Sequence, residues 1–286
     1  MTVFSRLLPT AASSYALQGL FALIFVPQQN EKWYDLCGSI GFLTSTFASL
    51  YWPALKAKFW DRTLDTLPHI LSFAPRQLLV NSALCMWTVR LGTFLASRAI
   101  KAGGDSRFDK VKTNPRTFTY FWLAQATWVL LTGLPIYVTN VIPAAEHPEL
   151  GASDYAAIAL FTTSFLFEVI ADGQKTAWRR RKDAKLHDEK FITKGLWAIS
   201  RHPNYVGEVG LWTGIWALAA GGLKASKHPA AHIAATAISP LFTWFLITKV
   251  SGVPPLEKAG DKKFGGDPKW EQYQKTVPVF WPWGSV

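Results

Sequence analysis

The chain has 286 residues, of which 49% are hydrophobic and only 17% charged, with 14 Trp and 19 Phe. Soluble globular domains usually carry about 25% charged residues, so the composition points away from a soluble globule and toward apolar spans joined by polar loops. The formal net charge of +11 is spread between apolar segments with no aromatic-basic module, which fits membrane topology and argues against nucleic acid as a partner.

Residues 7–27 follow Arg6 and form an apolar run ending at Val26-Pro27. No small-x-small cleavage site precedes the polar stretch after it, so the run reads as a first membrane helix and not as a signal peptide. A second helix is expected at 34–55, rich in Gly, Ser and Thr, which suits close helix packing in a bilayer. Residues 56–77 are polar and interrupted by Pro68 and Pro75. A third helix, 78–97, leads into a basic loop over 98–117. The fourth, 118–142, contains Pro135, and a short acidic loop with Glu146, Glu149 and Asp154 follows. The fifth, 155–173, ends in Glu168 and Asp172, which share a face by their spacing of four; a basic cluster from Lys175 to Lys194 follows at once. The sixth and seventh are expected at 203–222 and 232–252, the last ended by Gly252, Pro254 and Pro255, and a polar, aromatic tail occupies 256–286.

The expected fold is therefore all-α, a polytopic membrane helical bundle of about seven transmembrane helices, each near the ~20 residues that a bilayer core demands. It forms a single integral-membrane domain over 1–286. Lys and Arg in the loops after the first, third and fifth helices and in the tail far outnumber those on the opposite side, which places the C-terminus in the cytoplasm. Cys37 and Cys85 lie in apolar stretches with no pairing pattern and read as buried thiols.

No Walker loop, GxGxxG turn, CxxC pair, HExxH or GxSxG elbow occurs, so a nucleotide here would bind without a Rossmann unit. His228 and His232 have the spacing of a metal pair but no third ligand nearby, and no metal is expected. The densest chemistry lies in 191–222. Pro203 suits the first turn of a helix, which puts Asn204 and Glu208 on one face, beside Arg201, His202 and Tyr205. A carboxylate at the mouth of an apolar helix is costly without a partner and marks a functional hypothesis. The plainer alternative is that Arg201, His202 and Glu208 cap and anchor a membrane helix. Arg and Lys suit dinucleotide phosphates, carboxylates suit ribose hydroxyls, and Asn with Glu can pair with a carboxamide.

The motif GLWAISRHPNYVGE (195–208) occurs in order with NPRTFTYFWLAQATW (114–128), FEVIADGQKTAWR (167–179), SPLFTWFLITKVSGVPPLEK (239–258) and WEQYQKTVPVFWP (270–282). On these segments the chain resembles the steroid 5-alpha-reductase-like membrane proteins, in the branch filed as a domain of unknown function, over roughly residues 75–282. The resemblance implies NADPH as cofactor and reduction of a carbon–carbon double bond in a lipid, sterol- or enone-like substrate. Carried over by position, Asp172 and Arg179 match polar cofactor contacts after the fifth helix. Asn204 and Glu208 match the pair at the nicotinamide end, with Arg201, His202 and Tyr205 completing the motif, and Tyr273 matches a tail tyrosine near the cofactor. Glu168 stands where the steroid enzymes often have Asn. The departure is in the N-terminal third, where the second helix has no interior acid; Tyr51, Asp65 and Tyr120 are the candidates for the catalytic acid. Two alternatives stay open. One is an S-adenosylmethionine-dependent membrane methyltransferase of the isoprenylcysteine or phospholipid type, which shares RHPxY. The other is a non-catalytic sterol-binding membrane protein. The expected location is an integral membrane protein, of the endoplasmic reticulum in a eukaryotic cell.

Overall fold

A computed structural model describes residues 6–105 and 108–283, apart from the side chain of residue 102; Arg107 of the basic loop lies outside the described residues. All regular structure among them is helical. The helices are α1 (Leu8–Phe25), α2 (Tyr34–Phe59), α3 (Pro75–Ala102), α4 (Pro115–Asn140), α5 (Ala152–Asp183), α6 (Pro203–Leu223), α7 (Pro229–Thr236), α8 (Ile238–Phe245), α9 (Val253–Phe264) and α10 (Pro268–Thr276). A π-helical turn, Leu246–Val250, follows α8. Several begin with Pro in the first turn, where its missing N–H costs nothing and its fixed φ favours the helix. Asn114 caps α4 by accepting the Thr117 N–H, and Asp267 caps α10 by accepting that of Lys269.

Among the described residues six stretches are long and apolar enough to cross a membrane: α1, α3, α4, α5, α6 and the run Pro229–Phe264. This agrees with the expected polytopic bundle of about seven spans. The helix expected at 34–55 forms as α2 and is long enough, but it is not among the six. Its Gly, Ser and Thr residues lower its hydropathy, and they are spent on packing: Gly38, Gly41, Ser45, Thr46 and Ser49 are all buried.

The described residues form two compact units, one running to Asp154 and including Ile215–Ser239, the other comprising Tyr155–Gly214 and the residues from Pro240 onward. In the first, α1, α2 and α4 pack together, with α3 against α2. A Cβ on Gly41 would lie 2.6 Å from Gln18 Nε2, so a larger residue there would displace the Gln18 amide. Several buried amides there bond one another or the backbone. Gln18 donates to Cys37 O (3.0 Å), Gln125 donates to Gln18 Oε1 (3.0 Å), and Asn81 and Asn140 exchange side-chain hydrogen bonds at 2.8 and 2.9 Å. Arg76 and Asp154 form a buried ion pair (2.8 Å), with Arg76 also donating to Pro148 O and Glu149 O. A buried pair of this kind is tolerable because its remaining donors are also satisfied. Cys37 is buried as expected, whereas Cys85 is exposed on α3.

In the second unit α5 and α6 meet along a stripe of glycines. A Cβ on Gly207 would lie 2.8 Å from Ser164 O and Glu168 N, and one on Gly214 would lie 2.6 Å from Phe161 N. Small residues at such spacing let two membrane helices bring their backbones together.

Candidate functional site

Helix α5 does not stop where its apolar stretch ends near 173 but continues through Gln174–Lys182 to Asp183. Lys, Arg, Gln and Ala are good helix formers, and Arg180, Arg181 and Lys182 in the last turn complement the negative end of the helix dipole. This extension carries cations out of the apolar segment in helical register. The segment 184–202 then turns back: Trp197 donates its indole N–H to Ala171 O (3.0 Å), and Leu196 N–H donates to Gln174 Oε1 (2.9 Å). Gly195 makes that return in the left-handed region, φ 64°.

The chain's last segments close the other side. Arg201 N–H donates to Pro278 O (2.9 Å), Ser200 Oγ to Phe280 O (2.6 Å) and Tyr273 OH to Trp197 O (2.7 Å). Phe191, Phe264, Trp270 and Tyr273 pack ring against ring, with centroids 5.0–6.0 Å apart.

Between these elements lies a cavity of about 510 Å³, within the range of small-molecule sites. Lys175, Arg179, Lys182, Lys190, Arg201 and Lys263 line it, with those aromatic rings between them and Asp183 and Glu257 as its carboxylates. Glu257 already serves two partners: its Oε2 lies 3.0 Å from Arg201 Nη2 and its Oε1 2.7 Å from His202 Nε2. Positive charge is therefore in excess at this wall.

Burial holds the His202 imidazole below its ordinary value, against the opposing pull of the Glu257 carboxylate. Burial likewise pushes the Tyr273 phenol up, so it stays protonated and donates. Arg201 is nine-tenths buried, and its Nε–H has no acceptor among the described residues. A buried guanidinium N–H left unpaired costs stability. Lys175 stands over the Trp197 ring at 4.3 Å, an attraction that orients the ammonium.

Four of the residues singled out from the sequence, Arg179, Arg201, His202 and Tyr273, are gathered in this one cavity. The others in this unit take different positions. Tyr205 stacks on His202 (5.7 Å, 14° between rings) and packs on Val209, Val253 and Phe280. Asn204 is half-buried in the first turn of α6, and Glu208 accepts the Trp212 indole N–H at 2.9 Å. Glu168 is buried against Gly207, and Asp172 is half-buried one turn further along α5.

The candidate acids all belong to the other unit. Tyr51 packs on Phe47 and Phe73, Asp65 is exposed, and Tyr120 is exposed on α4. His232 hydrogen-bonds Ser226 at 2.8 Å, and its ring lies 6.2 Å from that of His228. Among the described residues no three His, Cys, Asp or Glu side chains are grouped to hold a metal.

Sequence reasoning did not single out Glu257, Trp178, Lys263 or Phe264. Their only signals are the Pro-Pro pair that opens α9 and the spacing of four between Lys175, Arg179 and Lys182–Asp183 once α5 is extended.

These features define an all-α polytopic membrane protein, with a cation-rich aromatic cavity where α5, α9 and α10 converge beyond the apolar stretch of α5. The chain matches the family described as protein of unknown function (DUF1295) over residues 23–277 and belongs to it. No curated protein and no solved structure matches the chain.

Proposed function

We propose that the protein is an NADPH-dependent membrane reductase, related to the steroid 5-alpha-reductases, that reduces a carbon–carbon double bond in a lipid, sterol- or enone-like substrate. The observation that carries this reading is the charge of the cavity. Six Lys and Arg side chains line it beside an aromatic wall. A dinucleotide phosphate carries a pyrophosphate and a monoester and answers that charge. S-adenosylmethionine carries a sulfonium cation and no phosphate, so the same wall disfavours it. The charge thus favours the reductase reading over the methyltransferase one.

In this reading Arg179, Lys175 and Lys182 hold phosphate oxygens and Arg201 donates from the buried side. The aromatic wall excludes water, which strengthens each of these bonds. Asn204 and Glu208, one turn apart on α6, address the carboxamide end. When bound, the cofactor supplies hydride chemistry. Membrane lipids surround the helices, and the endoplasmic reticulum is the proposed membrane in a eukaryotic cell.

Equilibrium dialysis of the detergent-purified full chain against NADPH and against S-adenosylmethionine tests the reading. Saturable NADPH binding without S-adenosylmethionine binding is expected. The reverse pattern would replace the reductase with the methyltransferase.

A further inference from the structure

The connection between α2 and α3 reads in the sequence as polar, with Arg62, Asp65 and His69 following Lys56, Lys58 and Asp61. Its surface is different. Phe59, Trp60, Leu67, Ile70 and Leu71 are all exposed, Trp60 to 69% and Leu71 to 74%. Single exposed apolar side chains are ordinary, but large ones gathered in one short connection mark a contact surface.

The chain does not carry these side chains away from the helices. Arg62, in the left-handed region (φ 53°), closes the end of α2, where Asp61 N–H donates to Lys56 O and Thr63 N–H to Ala57 O (3.0 and 2.9 Å). The Trp60 ring lies back along the helix, 5.9 Å from that of Trp52. At the far end of the connection Phe73 packs edge-on against Tyr51 (5.1 Å), which stacks on Phe47 (4.9 Å) one turn further in. Both ends are thus folded against α2 at Tyr51 and Trp52. Between them Ile70–Ser72 forms a 3-10 turn in which His69 Nδ1 accepts the Leu71 N–H (3.2 Å). Pro75 opens the apolar α3 four residues after Leu71, and four residues reach at most ~14 Å.

The surface these side chains join is itself apolar. Helix α2 packs on α1, α3 and α4, three of the apolar spans, so its flank lies at membrane depth. On that flank Ile40, Leu43 and Phe47 are exposed at spacings of three and four, which makes one stripe. The stripe continues through Phe47, Tyr51 and Phe73 onto the connection. Trp and Phe beside Lys and Arg is the composition of a segment lying in a membrane interface. Lys56 pairs with Asp61 at 2.7 Å and offsets that acid.

We infer that the connection 59–73 lies in the headgroup–acyl boundary of the bilayer, with Trp60 and Leu71 inserted and Lys58 and Arg62 reaching the lipid phosphates. It occupies the leaflet opposite the basic loop that follows α3. Continuity with the α2 stripe makes lipid the occupant, and the inference is independent of the cofactor reading.

The test places an NBD fluorophore at Trp60→Cys or Leu71→Cys in the full chain, on a Cys85→Ala background, since Cys85 is exposed and Cys37 buried. The chains are held in phosphatidylcholine nanodiscs with and without a headgroup-nitroxide lipid. Asp188→Cys, exposed in the loop after α5, carries the same label as a water-facing control. Nitroxide lipid is expected to quench the label at 60 and 71, and the iodide quenching seen at 188 is expected to be lost there. Iodide quenching at either position equal to that at 188 would put the connection in water and overturn the inference. Quenching by neither agent would show that protein covers it, and would overturn it equally. Hydroxyl-radical labelling of the unsubstituted chain in the same nanodiscs stands even if the variants fail to fold. Leu71 and Leu186 are 74% and 66% exposed, yet Leu71 should be spared relative to Leu186; equal oxidation would contradict the interfacial position.

Discussion

Glu257 on α9 bridges Arg201 and His202, the two residues before α6, with one oxygen 3.0 Å from the guanidinium and the other 2.7 Å from the imidazole. The bridge is almost wholly inside the protein, with Arg201 9% and His202 6% exposed. Its net result is a neutral His202 whose Nε2–H donates to the carboxylate. Burial lowers the His202 pKa from its ordinary 6.5, so the unfolded chain takes up this proton before the folded protein does. Stability then falls as pH drops below about 6.5 toward the folded value, and is fully present above it. Thermal denaturation between pH 5 and 8 should show this slope, and His202→Gln should flatten it. An unchanged slope in that variant would assign the dependence elsewhere. Glu257→Gln should lower stability by about 3 kcal/mol, since it leaves a buried guanidinium without its counter-charge.

The glycines between α5 and α6 make a paired prediction. Gly207→Ala places a methyl 2.8 Å from two backbone atoms of α5, which cannot yield as a side-chain tip could. A loss of about 1–3 kcal/mol is expected. Gly173→Ala, with nothing within 4 Å of its Cβ, should instead stabilise α5 by about 0.5–1 kcal/mol. Melting temperatures in one detergent compare the two, and similar shifts of the same sign would refute the close-approach argument.

Arg179 is exposed on α5 and lines the larger cavity. Arg179→Ala should weaken NADPH by about tenfold, or ~1.4 kcal/mol, and should reduce the salt dependence of binding, because one cation fewer faces the phosphates. Titrations at low and high ionic strength measure both. An affinity equal to wild type at low salt would take Arg179 out of the site.

The orientation of the C-terminus does not hang on whether α2 crosses the bilayer. With α2 crossing or not, the basic stretches around 98–116 and 175–201 fall on the same side as the tail. A reporter fused after Val286 should therefore read out in the cytosol. Glycosylation of that reporter in the lumen would invert the assignment.

Much of this was legible in the sequence where one physical signal dominated. Helix α6 spans Pro203–Leu223 against an expected 203–222, because Pro203 marks its first turn and the apolar run marks its length. Helix α5 was read ten residues short, since its hydropathy drops near Gly173 although helix propensity does not. Gln174, Trp178 and the register of the basic residues were thereby hidden in a supposed loop. Glu257 was lost for a related reason. Pro254 and Pro255 look like the end of a span, yet they stand in the first turn of α9 and deliver Glu257 to Arg201. Helix α2 shows the converse: its small, hydroxylated residues suggested a packed membrane helix, and the packing is there, but the same residues leave it less apolar than the six spans.

The central claim is that a dinucleotide phosphate sits where α5, α9 and α10 converge. Hydrogen–deuterium exchange of the detergent-purified full chain, with and without saturating NADPH, locates the ligand without a substitution. Slowed exchange is predicted in 174–205 and 253–277, with 34–59 unchanged. Binding that leaves 174–205 and 253–277 unprotected would contradict the account.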